Sequence, residues 1–194
     1  YGTVNDLIVA GAVPSALVAT FVLEAGLPCA IVEREARAMA AAAERAGVRI
    51  VGGDTKVVEH GKADGMYITT TGIGAGDPRL CCSTAHVRSG DQVIVSGPIG
   101  DHGTTILLAR GDIDLDAALE SDTRSVGPLV ERLVAAAGRS VRWMRDPTRG
   151  GVATALNELA SDTGLGVALF EERIPVRDPV RGACELLGLD VLHI

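Results

Sequence analysis

The sequence predicts a mixed α/β (α+β) fold, because patterns typical of helices and of strands alternate along its 194 residues. No strict period indicates a solenoid. Hydrophobic residues make up 47% of the chain and aromatic residues only 3%, so we expect a sizeable core of Ala, Val, Leu and Ile. The 24 glycines indicate many tight junctions between elements.

The first elements are a helix and a strand. Residues 4–11 (VNDLIVAG) predict a short helix that Asn5 or Asp6 caps and that Pro14 ends. Residues 15–24 are apolar with β-branched members, which favours a buried strand, although periodicity does not separate strand from helix at this length. Both alternating sets of side chains in this strand are apolar, so we also expect a homodimer through this part of the chain.

The next elements have clearer patterns. Residues 30–46 are rich in Ala, Glu and Arg, with apolar residues near helical spacing, and we predict a helix that Gly47 ends. Residues 50–59 and 66–73 predict two further strands, and the polar residues 59–65 between them predict a turn.

The second half of the chain follows a loop-like stretch over residues 74–83, where we place a domain boundary. Helical and strand patterns alternate again beyond it, with an acidic connector over residues 111–116. We predict helices over residues 104–110, 126–137, 152–160 and 177–187, and short strands over residues 92–96, 141–144, 165–170 and 190–194.

The net charge, the cysteine content and the lengths of the apolar runs exclude several classes of protein. The formal net charge of −7 leaves no basic surface for nucleic acid. The four cysteines form no CxxC pair, so neither a disulfide framework nor a zinc site is indicated, and a reduced, cytoplasmic setting is expected. No apolar run is long enough to span a membrane and no signal peptide begins the chain. Because Tyr1 stands where Met would be expected and an apolar run ends the sequence, we expect a piece of a longer protein.

One stretch combines the residue types of a phosphate site. Residues 50–59 (IVGGDTKVVE) place two glycines directly before Asp54, Thr55 and Lys56. This pattern fits metal-bound phosphate, with Asp54 for the cation, Lys56 for phosphate oxygens and exposed N–H groups for the rest. A glycine-marked bend or bulge with a solvated polar tip explains the same residues equally well, so the pattern leaves both interpretations open.

Acidic residues stand beside glycine, or at a predicted helix start, in further places. They are Asn5–Asp6, Gly100–Asp101, and Asp146 ahead of Gly150–Gly151. Free N–H groups at a helix start bind anions, but each of these residues alone is more often a cap or turn residue. His102 in a glycine-rich loop is likewise more often an ordinary loop residue than a base or phosphate contact. The motifs of a Rossmann dinucleotide site and of a P-loop are both absent.

Five segments resemble the HypE family of hydrogenase maturation factors, within the PurM-like (aminoimidazole ribonucleotide synthetase-like, AIR synthase-like) ATP-binding superfamily. They are VNDLIVAGAVP, IVGGDTKVVE, GDQVIVSGPIGDHG, DPTRGGVATALNE and IPVRDPVRGACELLGLD, in this order. VND and GGDT recur across the superfamily, whereas SGPIGDHG, GGDTKVV, DPTRGG and RGACELLGLD are more specific to the family. The resemblance covers nearly the whole chain.

The resemblance implies a PurM-like two-domain fold, with residues 1–74 as part of an N-terminal ATP-binding domain that dimerises through its β-sheet. Residues 75–194 are then part of an α/β C-terminal domain. The implied activity is ATP-dependent dehydration of a thiocarbamate on the protein's own C-terminal cysteine to a thiocyanate, the cyanide source for [NiFe]-hydrogenase. The implied cofactors are ATP and Mg²⁺. The implied partners are a second copy, the carbamoyltransferase HypF and the HypC–HypD scaffold, without nucleic acid or membrane.

The same resemblance implies roles for individual residues. Asp6, Asp54 and Asp146 are similar to metal ligands of the superfamily. Nucleotide or phosphate contacts are implied for Asn5, Thr55, Lys56, Arg149 and Gly150, and a catalytic role beside the phosphate or the modified cysteine is implied for Lys56.

Some parts of the family pattern are missing from this sequence. The family has a further metal-binding aspartate and a flexible lid before the position of Tyr1, and its reactive cysteine after the position of Ile194. We therefore expect that this stretch alone does not complete the reaction. Two alternatives stay open: another PurM-like ATP enzyme, such as a selenophosphate or purine-pathway synthetase, and a non-catalytic dimerisation or docking module for maturation partners.

Overall fold

The computed structural model describes residues 1–111 and 119–194. They form two compact units, the first made of Tyr1–Cys81 and Arg124–Met144, and the second of Cys82–Thr123 and Arg145–Ile194. The predicted acidic connector lies, apart from Gly111, outside the described residues. No helix in the described part of the chain is both long and apolar enough to cross a membrane.

Helices and strands alternate in the order α1 (Gly2–Val9), β1 (Ala12–Glu24), α2 (Cys29–Arg45), β2 (Arg49–Val58), β3 (Met66–Gly76), α3 (Asp101–Arg110), α4 (Gly127–Ala137), α5 (Gly151–Thr163) and α6 (Asp178–Leu187). This order confirms the predicted α/β class. Each predicted helix, and each predicted strand before residue 77, is present with bounds that differ by a few residues.

The first unit is built on a three-stranded sheet in the order β2-β1-β3. Strand β1 pairs with β2 in parallel and with β3 antiparallel, so that Thr20 lies opposite Asp54 on one side and opposite Thr69 on the other. A β-bulge interrupts the β1–β2 register between Leu17 and Val18. Residues that lie opposite each other share a face of the sheet, and the register therefore fixes which β2 side chains lie together.

Helices cover one face of this sheet. Val4 and Ile8 of α1, Leu17 of β1 and Ala43 of α2 form a buried cluster with Val48. The start of α4 packs against the same cluster. All three helices of the first unit therefore lie on the face to which Leu17 points.

The opposite face of the sheet has a different character. Its side chains include Val18, Tyr67 and Ile73, which are 40%, 55% and 65% exposed. Thr69 and Thr71 lie between them and are exposed as well. Among the described residues of the first unit no helix covers this face, which we call the open face.

The second unit is helical in its described residues. Helix α3 packs against α6, and α5 packs against two short 3₁₀ segments, Thr84–His86 and Val191–His193. Val180, Ala183 and Cys184 of α6 are buried. Burial raises the pKa of the Cys184 thiol, so this cysteine has the packing role expected of a buried thiol.

The four strands predicted after residue 83 are wrong. Within the described part of the chain, residues 92–96, 141–144 and 165–170 have no strand partner, and residues 191–193 form a 3₁₀ turn. Apolar, β-branched sequence alone does not make a strand, because a strand needs a ladder partner for its N–H and C=O groups. Ile94, at the centre of the first of these segments, is 79% exposed.

The predicted ends of the first helix are also wrong. Helix α1 begins at Gly2 with Tyr1 as its N-cap, so Asn5 and Asp6 lie within the helix and do not cap it. Pro14 lies inside β1 and not at the end of α1. A long-range contact of the Asn5 side chain, described below, explains the polar residue at this position.

Candidate functional site

The two glycines of β2 have different surroundings. A Cβ atom added to Gly53 would lie 1.8 Å from the backbone oxygen of Ala19 on the paired strand. A Cβ atom added to Gly52 would meet no atom of the described residues within 4 Å. Gly53 is therefore required by the close approach of β1 and β2, whereas Gly52 leaves open space in front of its Cα atom.

Asp54 and Lys56 lie on the open face. Asp54 is paired with Thr20, and Lys56 with Val22, so the two side chains share a face, and their Cα atoms are about 7 Å apart along the strand. The Oδ1 atom of Asp54 accepts a 2.8 Å hydrogen bond from the backbone N–H of Thr55. The Thr55 side chain alternates to the helix-covered face, so the structure brings only two of the three polar residues together on one face.

A groove of about 540 Å³ runs between α2 and the strands β1 and β2. Its apolar wall includes Phe21 and Met39, and its other wall includes Gly53, Asp54 and Thr55. The groove therefore combines apolar side chains with backbone and polar groups of β2, a combination typical of small-molecule sites.

The two candidate residues of α1 have different environments. Both ends of the Asn5 amide contact backbone: Nδ2 donates to the carbonyl oxygen of Arg124 at 2.8 Å, and Oδ1 accepts from the N–H of Val126 at 3.0 Å. Asp6 is exposed on the helix surface. The structure thus gives the Asn5 side chain a backbone-binding role within the first unit.

The remaining candidates lie in the second unit, around the start of α5. The Asp146 carboxylate accepts a hydrogen bond from the Thr148 hydroxyl, and Arg149 is exposed. Gly150 is the N-cap of α5 with φ of 71°, in the left-handed region that favours glycine. A glycine followed by the unpaired N–H groups of a helix start is suited to bind an anion.

The carboxylates of the described residues fit a metal site completed by phosphate and water better than a site made only of protein ligands. No group of three or more His, Cys, Asp and Glu side chains that could hold a metal ion occurs within residues 1–111 and 119–194. A cage made only of protein ligands is therefore not formed by the described residues. Carboxylates such as Asp54, set singly beside open space, fit Mg²⁺ that takes its other ligands from phosphate and water.

Sequence reasoning missed the environment of Asp101, which it interpreted as a loop or cap residue. Asp101 is the first residue of α3 and is only 1% exposed. Its Oδ2 atom lies 3.2 Å from Nε of Arg177, and burial raises the pKa of its carboxyl group against the opposing effect of that arginine. The signal could not be found locally, since Arg177 lies far along the chain.

Comparison with known proteins agrees with this architecture. Residues 1–75 match the family model described as "AIR synthase related protein, N-terminal domain", and residues 88–194 match "AIR synthase related protein, C-terminal domain". Carbamoyl dehydratase HypE of Azotobacter vinelandii is 52% identical over 194 residues, which are 100% of this chain and 57% of that protein.

Solved structures of related proteins are similar over the whole chain. A HypE structure in complex with ATP is 46% identical with a TM-score of 0.93, and the match covers 100% of this chain and 57% of that one. A HypE–HypF complex is 41% identical with a TM-score of 0.93, covering 100% and 63%.

The chain spans 57% of the length of the curated relative described above. The two family models together cover residues 1–75 and 88–194. The TM-score of 0.93 over the whole chain shows that its fold is that of the related HypE structure. The chain therefore belongs to the AIR synthase related protein family, in which it is similar along its whole length to the HypE carbamoyl dehydratases.

Proposed function

We propose that the protein is an ATP-dependent carbamoyl dehydratase of the HypE kind. It would convert a thiocarbamate on its own C-terminal cysteine to a thiocyanate, the source of cyanide ligands for [NiFe]-hydrogenase. The observation that carries this proposal is the 52% identity, without loss of coverage of this chain, to a carbamoyl dehydratase HypE. The geometry of β2 adds independent support, because it sets a carboxylate and an ammonium group beside a bare glycine on one face.

ATP and Mg²⁺ are the cofactors in this proposal. The related HypE structure in complex with ATP supports the nucleotide. Asp6, Asp54 and Asp146 would hold the metal ion. The nucleotide and its phosphates would be contacted by Thr55, Lys56, Arg149 and Gly150. Asn5 on α1 would contribute to binding of the same nucleotide. Gly52 would leave the room that a phosphate needs next to the Asp54 carboxylate.

The chemistry assigns a task to Lys56. An amide oxygen is a poor leaving group, and transfer of the γ-phosphoryl group of ATP to that oxygen lets it depart as phosphate, while loss of the nitrogen protons leaves the nitrile. Lys56 would hold its ammonium group against the negative charge that builds up on the transferred phosphoryl group. Asp54 would keep its orientation through the hydrogen bond from the N–H of Thr55.

The assembly that we propose is a homodimer formed through the open face. The part of this face formed by β1 and β3 is apolar and threonine-rich, whereas Asp54 and Lys56 lie on β2, and Ile73 and Tyr67 are among its most exposed members. A second copy with the same face would bury these side chains.

We propose domains of residues 1–74 and 75–194, a cytoplasmic setting, and association with HypF and with the HypC–HypD scaffold. The similar HypE–HypF complex supports the first of these partners.

The test of activity is mass spectrometry of the complete protein after incubation with ATP, Mg²⁺ and the carbamoyl donor. The proposal predicts that the carbamoylated cysteine peptide loses one water. A carbamoylated peptide that keeps its mass, although ATP binds, would leave only the docking module or another ATP enzyme of the family. A Lys56→Ala protein should bind ATP more weakly and slow the loss of water.

A further inference from the structure

The chain returns to the first unit at Arg124. The segment that begins with Arg124 follows directly on Thr123, the last residue of one part of the second unit. Helix α1 holds this segment through one side chain. The Asn5 amide donates to the carbonyl oxygen of Arg124 at 2.8 Å and accepts from the N–H of Val126 at 3.0 Å.

The choice of asparagine follows from this geometry. The amide offers a donor and an acceptor at one end of a short side chain, and the two backbone groups that it meets are an acceptor and a donor. Aspartate at the same position would still accept from Val126, but its carboxylate would face the Arg124 carbonyl oxygen without a proton to donate. Serine or alanine would be too short to reach both groups.

Packing around the two hydrogen bonds fixes the segment further. Val126 packs against the buried cluster that contains Val4 and Ile8. A Cβ atom on Gly127 would lie 3.5 Å from Cδ1 of Ile8, so α4 begins in contact with α1. The joint between α1 and the returning chain therefore has both specific polar bonds and close apolar contact.

A second connection holds α4 through an ion pair. The guanidinium group of Arg79 donates to both carboxylate oxygens of Glu131 at 2.7 Å, and also contacts Asp77. Arg79 lies just after β3, close to Cys81, after which the chain first leaves the first unit. The chain passes between the units at three points, and α1 or α4 is bonded close to two of them, at Arg79 and at Arg124.

We propose that Asn5 is a positioning residue that couples nucleotide binding to the returning segment 124–126. The proposal rests on the proposed function, because Asp6, the next residue of α1, is one of the suggested metal ligands. A shift of α1 on binding ATP and Mg²⁺ would pass through the two amide bonds to Arg124 and Val126. Coupling of this kind is reciprocal, so the state of the returning segment would also alter nucleotide affinity.

Amide hydrogen exchange reads this joint directly, because the N–H of Val126 is the donor to Asn5. The experiment compares the full chain with Asn5→Ala and Asn5→Asp, with and without ATP and Mg²⁺. Asn157→Ala is the matched control, since Asn157 lies exposed on α5 and its amide donates to the carbonyl oxygen of Ala153 in the same helix. Without nucleotide, we expect exchange of the Val126 amide to be about 10- to 100-fold faster in Asn5→Ala than in wild type.

The Asn5→Asp protein keeps the acceptor for the N–H of Val126. It provides the same test of the Asn5 side chain if Asn5→Ala does not fold. We expect it to exchange at an intermediate rate. In wild type and in the Asn157→Ala control, ATP and Mg²⁺ should slow exchange over residues 124–130. In the Asn5 variants this nucleotide-dependent slowing should be lost, an effect that mere destabilisation of the fold would not produce.

Several results would overturn the proposal. Unchanged exchange of the Val126 amide in both Asn5 variants would show that the bonds do not hold the segment. Slowing by nucleotide that persists in the variants, or that is missing in a wild-type protein that binds ATP, would refute the coupling and leave the proposed function intact. No ATP binding by wild type in a parallel calorimetric titration would instead mark a failure of the proposed function, and the coupling would fall with it.

Discussion

Replacement of Gly53 by alanine tests how β2 is held against β1. The added Cβ atom would lie 1.8 Å from the Ala19 backbone oxygen, about 1.5 Å closer than the usual carbon–oxygen contact. A backbone oxygen cannot rotate away, so the strands must separate. We expect a loss of at least about 3 kcal/mol, the upper end for overpacking. For a chain of this size that lowers the melting temperature by about 6–12 °C.

Gly52→Ala is the matched control, one residue away in the same strand. Its Cβ atom would meet no atom of the described residues within 4 Å, and removal of a strand glycine stabilises by up to about 1 kcal/mol. The melting temperature should therefore stay equal to that of wild type or rise slightly. The new methyl group would stand on the open face beside Asp54, so ATP binding should weaken although the fold is intact.

The assay is thermal unfolding followed by circular dichroism and calorimetry, together with titration of ATP and Mg²⁺. If the melting temperature of Gly53→Ala equals that of wild type, the close approach of β1 and β2 does not depend on this glycine. If Gly52→Ala melts as low as Gly53→Ala, the difference between the two positions is refuted. Wild-type affinity for ATP in Gly52→Ala would refute the open space as the place of a phosphate.

Three further substitutions test other parts of the structure. Burial raises the pKa of the Asp101 carboxyl group, so its ionised form is disfavoured in the fold. The stability of Asp101→Asn relative to wild type should therefore increase as the pH rises above about 3.9, the pKa of an unperturbed aspartate. Arg79 lowers the pKa of Glu131. The ionised pair therefore stabilises the fold above about pH 4.3, and this stabilisation is lost as the pH falls. In Arg79→Ala this pH dependence should be absent, and amide exchange in α4 should be faster. Ile73→Glu on the open face should convert the proposed homodimer to a monomer in sedimentation.

For each of these three predictions there is a result that would contradict it. A pH-independent difference between Asp101→Asn and wild type would mean that the buried carboxyl group does not resist ionisation. Equal loss of stability in acid for wild type and Arg79→Ala would remove the role of that arginine. Leu129→Glu, on the exposed side of α4, is the control for Ile73→Glu, and a dimer that survives in both variants would exclude the open face as its interface.

Local pattern was enough to predict much of the first unit. The Ala-, Glu- and Arg-rich residues of α2 and the apolar run of β1 carry their own periodicity, and the polar turn before β3 marks the end of β2. These elements also pack against partners close by in the chain, so propensity and tertiary contact favour the same structure. Their prediction therefore needed no knowledge of distant residues.

The errors have long-range causes. The Asn5 side chain bonds to Arg124 and Val126, a contact that the short pattern VND does not contain and that replaces the predicted capping role. Asp101 is buried against α6 and Arg177, although its local sequence is typical of a loop. The apolar residues 92–96 lack a ladder partner among the described residues, and β-propensity without such a partner does not form a strand.

The candidate site could be predicted only in part. The pattern GGDTK left a phosphate site and a glycine-marked bend equally open, and in β2 it places Asp54 and Lys56, but not Thr55, on one face of the sheet. It could not indicate which glycine permits the approach of β1, nor that Asp54 and Lys56 face away from the helices while Thr55 does not. Those facts depend on the register with β1 and on the bulge before Val18.

Calorimetric titration of ATP and Mg²⁺ into wild type, Asp54→Asn and Asp64→Asn tests the central claim most directly. Asparagine at position 54 keeps an acceptor for the N–H of Thr55 and removes only the charge, and Asp64 is an exposed aspartate in the turn between β2 and β3. We predict that wild type and Asp64→Asn bind ATP equally and that Asp54→Asn binds on the order of tenfold or more weakly. Equal binding by all three proteins, or binding by none of them, would contradict an ATP site built on Asp54.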